Sequence, residues 1–201
     1  MKIVVIGDIH GNYDYLKRIL KDTSGDIYLQ VGDFAGDKED YLDLEKTVYF
    51  IKGNHECFDI IDKYEEPTEI KKNLIYIPTG KVVEVNGIRI GAFGGNFSPI
   101  SFGKRKKELS GKRRSHITID DFKKATKMKD IDILLTHEAP LPFIIDGKDV
   151  GILLITILLH TLKPKLHFFG HHHIDREIDI YKTKSFCVGS YKEIEYPVEE
   201  I

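Results

Sequence analysis

The chain has only two cysteines, Cys57 and Cys187, set far apart in its 201 residues. That excludes a disulfide framework and argues against thiolate ligation of a metal, so a reducing, cytoplasmic compartment is the expected location. No apolar run approaches the ~20 residues that a bilayer crossing takes. The most apolar stretch, Val150 to Leu162, reads instead as a buried helix. Met1 leads directly into Lys2-Ile3-Val4-Val5-Ile6, which lacks the length and flanks of a secretion signal, so neither leader nor membrane association is expected. A dominant charge sign is missing too: the net charge of -2 fits neither a general nucleic-acid binder nor a strongly acidic protein. Repeats and low-complexity linkers are absent. With 41% hydrophobic and 31% charged residues, the chain fits one folding unit, residues 1–201, with a substantial core.

What is present is ordered punctuation by acid, amide and imidazole. Lys2 to Gly7 is a β-branched strand; a helix follows from about Asn12, with Tyr13, Leu16, Ile19 and Leu20 on one face. Asp26 to Val31 and Thr47 to Lys52 read as further strands, and right-handed crossovers would lay all three side by side in a parallel sheet. Asp8, Asp33 and Asn54, just beyond these strands, should then converge. Val82, Val83 and Val85 before Asn86-Gly87, with Ile88, Ile90 and Ala92 after it, give a hairpin signal, and here the sheet should turn antiparallel. Thr118 and Asp121 suggest a capping box, with Ile119, Phe122, Ala125 and Met128 on the inner face of the helix they start. Ile131 to Thr136 should be a strand ending at His137, Asp149 to Leu162 an apolar helix, and Leu166 to Phe169 a strand ending at Gly170-His171. The loose alternation of Glu177 to Gly189 suggests antiparallel strands. The whole predicts an α/β fold: two mixed sheets packed face to face with helices outside.

Five stretches thus end in metal-type ligands: Asp8-Ile9-His10, Gly32-Asp33, Gly53-Asn54-His55-Glu56, His137, and Gly170-His171-His172-His173. Phosphate-ester hydrolysis requires a nucleophile to attack phosphorus while charge on the ester oxygens is neutralised. Two divalent ions ~3.5 to 4 Å apart can supply both effects, and borderline ions accept imidazole and carboxylate readily.

This ordered set, covering Asp8 to His173, resembles the calcineurin-like metallophosphoesterase superfamily. The resemblance implies a four-layer αββα sandwich, and two divalent metal ions: manganese first, with iron, zinc, nickel or cobalt as alternatives. It implies that Asp8, His10 and His173 hold one ion, that Asn54, His137 and His171 hold the other, and that Asp33 bridges them. It further implies a dinuclear-metal phosphoesterase acting on phosphodiesters or phosphomonoesters through a bridging hydroxide, with His55 as general acid to the leaving oxygen, a role suited to imidazole near neutral pH. The remaining residues of these motifs have plainer expectations. His172 should point away by alternation on extended backbone, His160 and His167 should be structural, and Glu56 should make hydrogen bonds behind the ligands. Cys57 should be a small packing residue.

Subtypes separate in part. Protein Ser/Thr phosphatases of the superfamily carry Gly-Asp-x-x-Asp-Arg-Gly and Arg-Gly-Asn-His-Glu; here Asp37 is followed by Lys38, and Lys52 precedes Gly53, so the phosphate-gripping arginines are missing. RNA lariat debranching enzymes replace an early ligand by cysteine, whereas Asp8 and His10 are intact; Asn73 to Gly95 is similar only faintly to their strand-and-glycine pattern.

The segment 96–117 reads as a basic loop insertion, with Lys104, Arg105, Lys106, Lys107, Lys112, Arg113 and Arg114 interrupted only by Glu108. Positive charge beside a two-metal centre would attract a phosphate-ester substrate, a nucleotide or oligonucleotide among them, with Arg105, Arg113 and Arg114 as candidate phosphate forks and Phe97 and Phe102 as stacking surfaces. The alternatives are a nuclease that grips oligonucleotides through this loop, and a non-catalytic metal-binding scaffold on the same fold. Protein partners cannot be read from the sequence.

Overall fold

The architecture comes from a computed structural model, which describes residues 1–36 and 40–197; Asp37 and Lys38 of the phosphatase comparison lie outside the described residues. In chain order the elements are β1 (Lys2–Ile6), α1 (Tyr13–Asp22), β2 (Ile27–Gln30), β3 (Val48–Phe50), α2 (Phe58–Ile61), β4 (Thr68–Lys71), β5 (Leu74–Tyr76), β6 (Val82–Val85) and β7 (Ile88–Phe93). They continue with α3 (Pro99–Phe102), α4 (Ile119–Ala125), β8 (Ile133–Thr136), β9 (Ile144–Ile145), β10 (Lys148–Asp149), α5 (Leu153–Leu162), β11 (Leu166–Phe169), β12 (Arg176–Ile180), β13 (Thr183–Cys187) and β14 (Tyr191–Glu195). One sheet runs β14-β1-β2-β3-β5-β4 and the other β12-β13-β11-β8-β7-β6, and both are mixed.

Alternation along the strands builds the layers. Ile3 and Val5 of β1 face inward and join Ile27 and Leu29 against Ile90, Ile133, Leu135 and Phe168 of the second sheet, all at most 2% exposed. Val4 and Ile6 face outward and bury Leu16, Ile19 and Leu20 of α1. The outer face of the second sheet is covered by α4 and α5, where Phe93 and Leu134 meet Ala125, Ile155, Leu158 and Leu159. The result is the four-layer α/β/β/α sandwich that the resemblance implies, with the facing sheets and outer helices expected from the strand pattern. The β6–β7 hairpin turns at Asn86 and Gly87, both at positive φ, with Val85 opposite Ile88.

Several expectations shift. The helix at Asp149 to Leu162 starts only at Leu153, because Asp149 belongs to the β9–β10 ribbon and its carboxylate takes the N–H groups of Phe143 and Gly151. The capping box of α4 is present, with Thr118 and Asp121 exchanging bonds, yet Ile119 at its first position is 37% exposed instead of inward. The basic insertion is not an open loop: it contains α3 and two 3-10 turns, Lys106–Glu108 and Gly111–Ser115, and Asn96 bridges His116. Strands β4, β5, β9, β10 and β14 had no counterpart in the sequence pattern. Among the described residues, no helix is long and apolar enough to cross a membrane.

Candidate metal centre

The strands that carry the ligand-type residues all deliver them at one end of the sandwich. Asp8 follows β1, Asp33 follows β2 and Asn54 follows β3 in one sheet, while His137 follows β8 and His171 follows β11 in the other. The carbonyl of Asp33 accepts the N–H groups of Ile9 and His10, at 2.9 and 2.8 Å, which laces the first two ligand loops together. Close approach explains two of the motif glycines. A β-carbon on Gly53 would overlap the Asp33 carboxylate, and one on Gly170 would overlap that of Asp8. His10, Asp33, His171 and His173 all have left-handed backbone, with φ of 49°, 55°, 69° and 53°. Such strain persists only where surrounding contacts impose it, and each instance costs on the order of 1–3 kcal/mol.

Two groups of donor atoms result. In Asp8, His10 and His173 the ligand atoms lie within 4.8 Å of one another, and the same holds for Asp8, Asp33 and His137. Asp33 faces both halves through different oxygens: Oδ2 lies 3.7 Å from His10 Nε2, and Oδ1 lies 3.5 Å from His137 Nε2. Asn54 Oδ1 is 2.9 Å from His137 Nε2, and His171 Nδ1 is 3.2 Å from that same nitrogen. Thus all seven residues expected from sequence, Asp8, His10, Asp33, Asn54, His137, His171 and His173, are brought together. His55 stands at the edge, its ring 5.4 Å from that of His10 and its N–H on Asp33 Oδ1 at 2.6 Å.

The electrostatics favour a bound cation. Burial, together with the neighbouring Asp33 carboxylate, pushes the Asp8 carboxyl up to about 8, although the His171 N–H works against the shift. Burial pulls His137 down to about 4 and keeps the imidazole neutral, the form that donates a lone pair to a metal; its other nitrogen is engaged by the Val31 carbonyl at 2.9 Å. Two solvent-stripped carboxylates side by side, surrounded by imidazoles and an amide oxygen, are the donor set of a divalent-cation site. The residues therefore fit the ions implied by the resemblance.

Three buried charges stand behind the site, and of these Glu56 makes the hydrogen bonds expected of it. Glu56, 2% exposed, accepts the N–H groups of Phe34 and Ala35 and the hydroxyl of Tyr41, so it fixes the loop just beyond Asp33. Glu138 accepts the Phe97 N–H at 2.8 Å and anchors the start of the basic insertion. Lys52, 3% exposed, points its ammonium at the Arg114 carbonyl. Glu138 and Lys52 had no sequence signal of this kind.

Elsewhere the arginines and histidines divide. Arg114 is committed to Asp59, Asp62 and the Phe58 carbonyl, and Arg105 turns to Glu108, while Arg113 is exposed. Phe102 packs against Phe97 and Phe122 and not as an open stacking face. His172 lies against Phe143, but the reason differs from simple alternation, since the backbone on either side of it is left-handed and not extended. His167 is fully buried between the hydroxyls of Thr136 and Ser185. His160 is exposed beside Tyr181 and is not in an apolar setting.

This fold and ligand layout define a metallophosphoesterase. The profile of the calcineurin-like phosphoesterase family matches residues 1–175, and the chain belongs to that family. It is 24% identical to the lariat debranching enzyme of Entamoeba histolytica over an alignment of 247 residues, covering 93% of this chain and 68% of that protein. It is 23% identical to the lariat debranching enzyme of Schizosaccharomyces pombe, covering 86% of this chain and 48% of that one. The chain thus spans about half the length of the second relative. The faint similarity at Asn73 to Gly95 is therefore one part of a likeness that extends over most of the chain. The crystal structure of TT1561 from Thermus thermophilus shares the fold, with a TM-score of 0.67 at 13% identity over 94% of this chain and 89% of that one.

Proposed function

We propose that the protein is a two-cation phosphodiesterase. The observation that carries this reading is the meeting of Asp8 and Asp33, almost sealed from solvent, with imidazoles from both sheets within ligand reach. Asp8, His10 and His173 would hold one ion, Asn54, His137 and His171 the other, and Asp33 would face both. Bound there, two divalent cations such as Mn²⁺ would supply an activated water and neutralise charge on the ester oxygens. The chain's own part is positional. Asp33 orients the His55 backbone, the Val31 carbonyl fixes the tautomer of His137, and Glu56 holds the loop that carries Asp33. His55, at the rim beside His10, would give a proton to the departing alcohol oxygen, a task suited to imidazole.

A diester is favoured over a monoester because both curated relatives are named lariat debranching enzymes. The deciding experiment offers the purified protein, with added Mn²⁺, Zn²⁺ or Fe²⁺, a bis-aryl diester, an aryl monoester and a 2′,5′-branched oligonucleotide. Diester cleavage that is lost in Asp33→Asn is expected. No turnover on any ester with any of the metals sinks the proposal.

A further inference from the structure

A cavity of about 1040 Å³ opens between the basic insertion and α4. Ligand pockets usually span roughly 300–1,000 Å³, so this one has room for several phosphate or nucleoside units. Eight lysine and arginine side chains line it against four carboxylates; Arg114 is paired with Asp59 and Asp62 and Lys81 with Glu66, which leaves six cations against Glu65, Asp120 and Asp121. Two of the four carboxylates are already engaged. Asp62 takes Arg114 Nε at 2.8 Å, and Asp121 takes both the N–H and the hydroxyl of Thr118 at 2.9 Å while its charge faces Lys52 and Lys106.

The cations stand on facing walls. The insertion contributes Lys106 and Lys107, and α4 with the turn after it contributes Lys123, Lys124 and Lys127. Buried Lys52 and partly buried Lys106 both donate to one neutral acceptor, the Arg114 carbonyl, at 3.3 and 3.0 Å. Each amine has more N–H groups than its one bond to that carbonyl uses, so both retain donors for a further acceptor. An anion between the walls would complete the remaining bonds, and lysine serves phosphate well as a point charge. Tyr64 also lines the cavity and offers a ring on which a base can stack. None of the seven ligand residues lines the cavity, but the chain links the two places: Lys52 directly precedes Gly53 and Asn54, and Arg114 holds the Phe58 carbonyl three residues beyond His55.

We infer that this cavity is a second phosphate-binding site, which holds phosphates of an oligonucleotide-type substrate while another phosphate is cleaved at the carboxylate cluster. The inference rests on the phosphodiesterase reading for what is cleaved; the binding itself is measured separately. The full chain, metal-loaded and after dialysis against a chelator, is titrated calorimetrically with inorganic tripolyphosphate. Binding of one tripolyphosphate per chain after chelation is expected. Lys106→Ser/Lys107→Ser and Lys124→Ser/Lys127→Ser should each weaken it by about tenfold or more, since every charged hydrogen bond counts. A short single-stranded oligonucleotide should compete.

No binding to the chelated chain overturns the inference, as does an effect of one wall alone or an oligonucleotide that does not compete. Should a double variant lose its cooperative melt, the exposed single variants Lys107→Ser and Lys127→Ser carry the same test. If the metal-loaded chain cleaves no ester but tripolyphosphate binding responds to both walls, the phosphodiesterase reading fails and the site stands.

Discussion

The backbone N–H of His55 donates to Asp33 Oδ1 at 2.6 Å. The candidate proton donor is thus fixed to the carboxylate that faces both halves of the centre, independently of where its own ring points. Replacing the imidazole should leave that tether intact, so His55→Ala should keep its metal content while losing turnover. A general acid contributes roughly 10²–10⁴-fold, and the loss should grow as the leaving alcohol becomes more basic. Rates for a series of aryl and alkyl diesters, plotted against leaving-group pKa, check this. A uniform loss across the series would make His55 a binding residue instead.

Glu56 acts on the centre from behind. Its buried carboxylate satisfies three donors, from Phe34, Ala35 and Tyr41, and all three belong to the chain that follows Asp33. Glu56→Ala would strand those donors, each at a cost of about 1–3 kcal/mol. A fall in stability of roughly 3 kcal/mol or more, read by denaturant unfolding, is expected, together with a metal affinity lower by about 10–100-fold. Glu56→Gln, which keeps an acceptor, should recover part of both.

The sequence makes the centre more legible than its surroundings, and the reason is local chemistry. Asp8, Asp33 and His137 each follow a run of buried β-branched or apolar residues, so strand end and ligand are read together. β14 carries no such signal. Tyr191, Lys192, Glu193, Ile194 and Glu195 alternate polar and apolar weakly, and their partner is β1, at the opposite end of the chain. An edge strand gains its identity from the strand it pairs with, which no local window contains. Likewise the buried roles of Lys52 and Glu138 depend on acceptors and donors in the basic insertion, far off in sequence, and Arg114, which reads as a substrate fork, is taken up by α2. The left-handed backbone of His10, Asp33, His171 and His173 is imposed by the packed loops, not by residue type.

Fully buried His167 ties stability to acid pH. Burial pulls its imidazole from 6.5 down to about 3. Below pH 6.5 the unfolded chain takes up a proton that the native chain refuses until about pH 3, so the native state loses stability as pH falls through that window. The slope is about 1.4 kcal/mol per pH unit from this one group. His167→Gln, which can still bond Thr136 and Ser185 but does not titrate, should flatten the decline. Thermal melts of the metal-loaded protein from pH 7 to pH 4 measure it. An unchanged slope would show that His167 is protonated in the native state.

Asp8 sets stability against metal binding. Its carboxyl is pushed from 3.8 up to about 8 by burial and by Asp33, so the native chain without metal holds a proton that the unfolded chain releases above pH 3.8. Stability of the metal-free protein should therefore fall as pH rises from about 4 to about 8, with the penalty largest above that range. Asp8→Asn removes the titrating group while keeping its shape, and at pH 8 the metal-free variant should unfold at a higher temperature than the metal-free parent. A divalent cation reverses the order. It binds the ionised carboxylate, and at a hundred times its dissociation constant it stabilises the parent by about 2.7 kcal/mol, whereas the variant should respond weakly. Melting curves of both proteins at pH 8, with chelator and with Mn²⁺, should cross in this way. If the variant is less stable than the parent even in chelator, the Asp8 carboxylate is held by the fold for the His171 N–H it accepts and not for a cation.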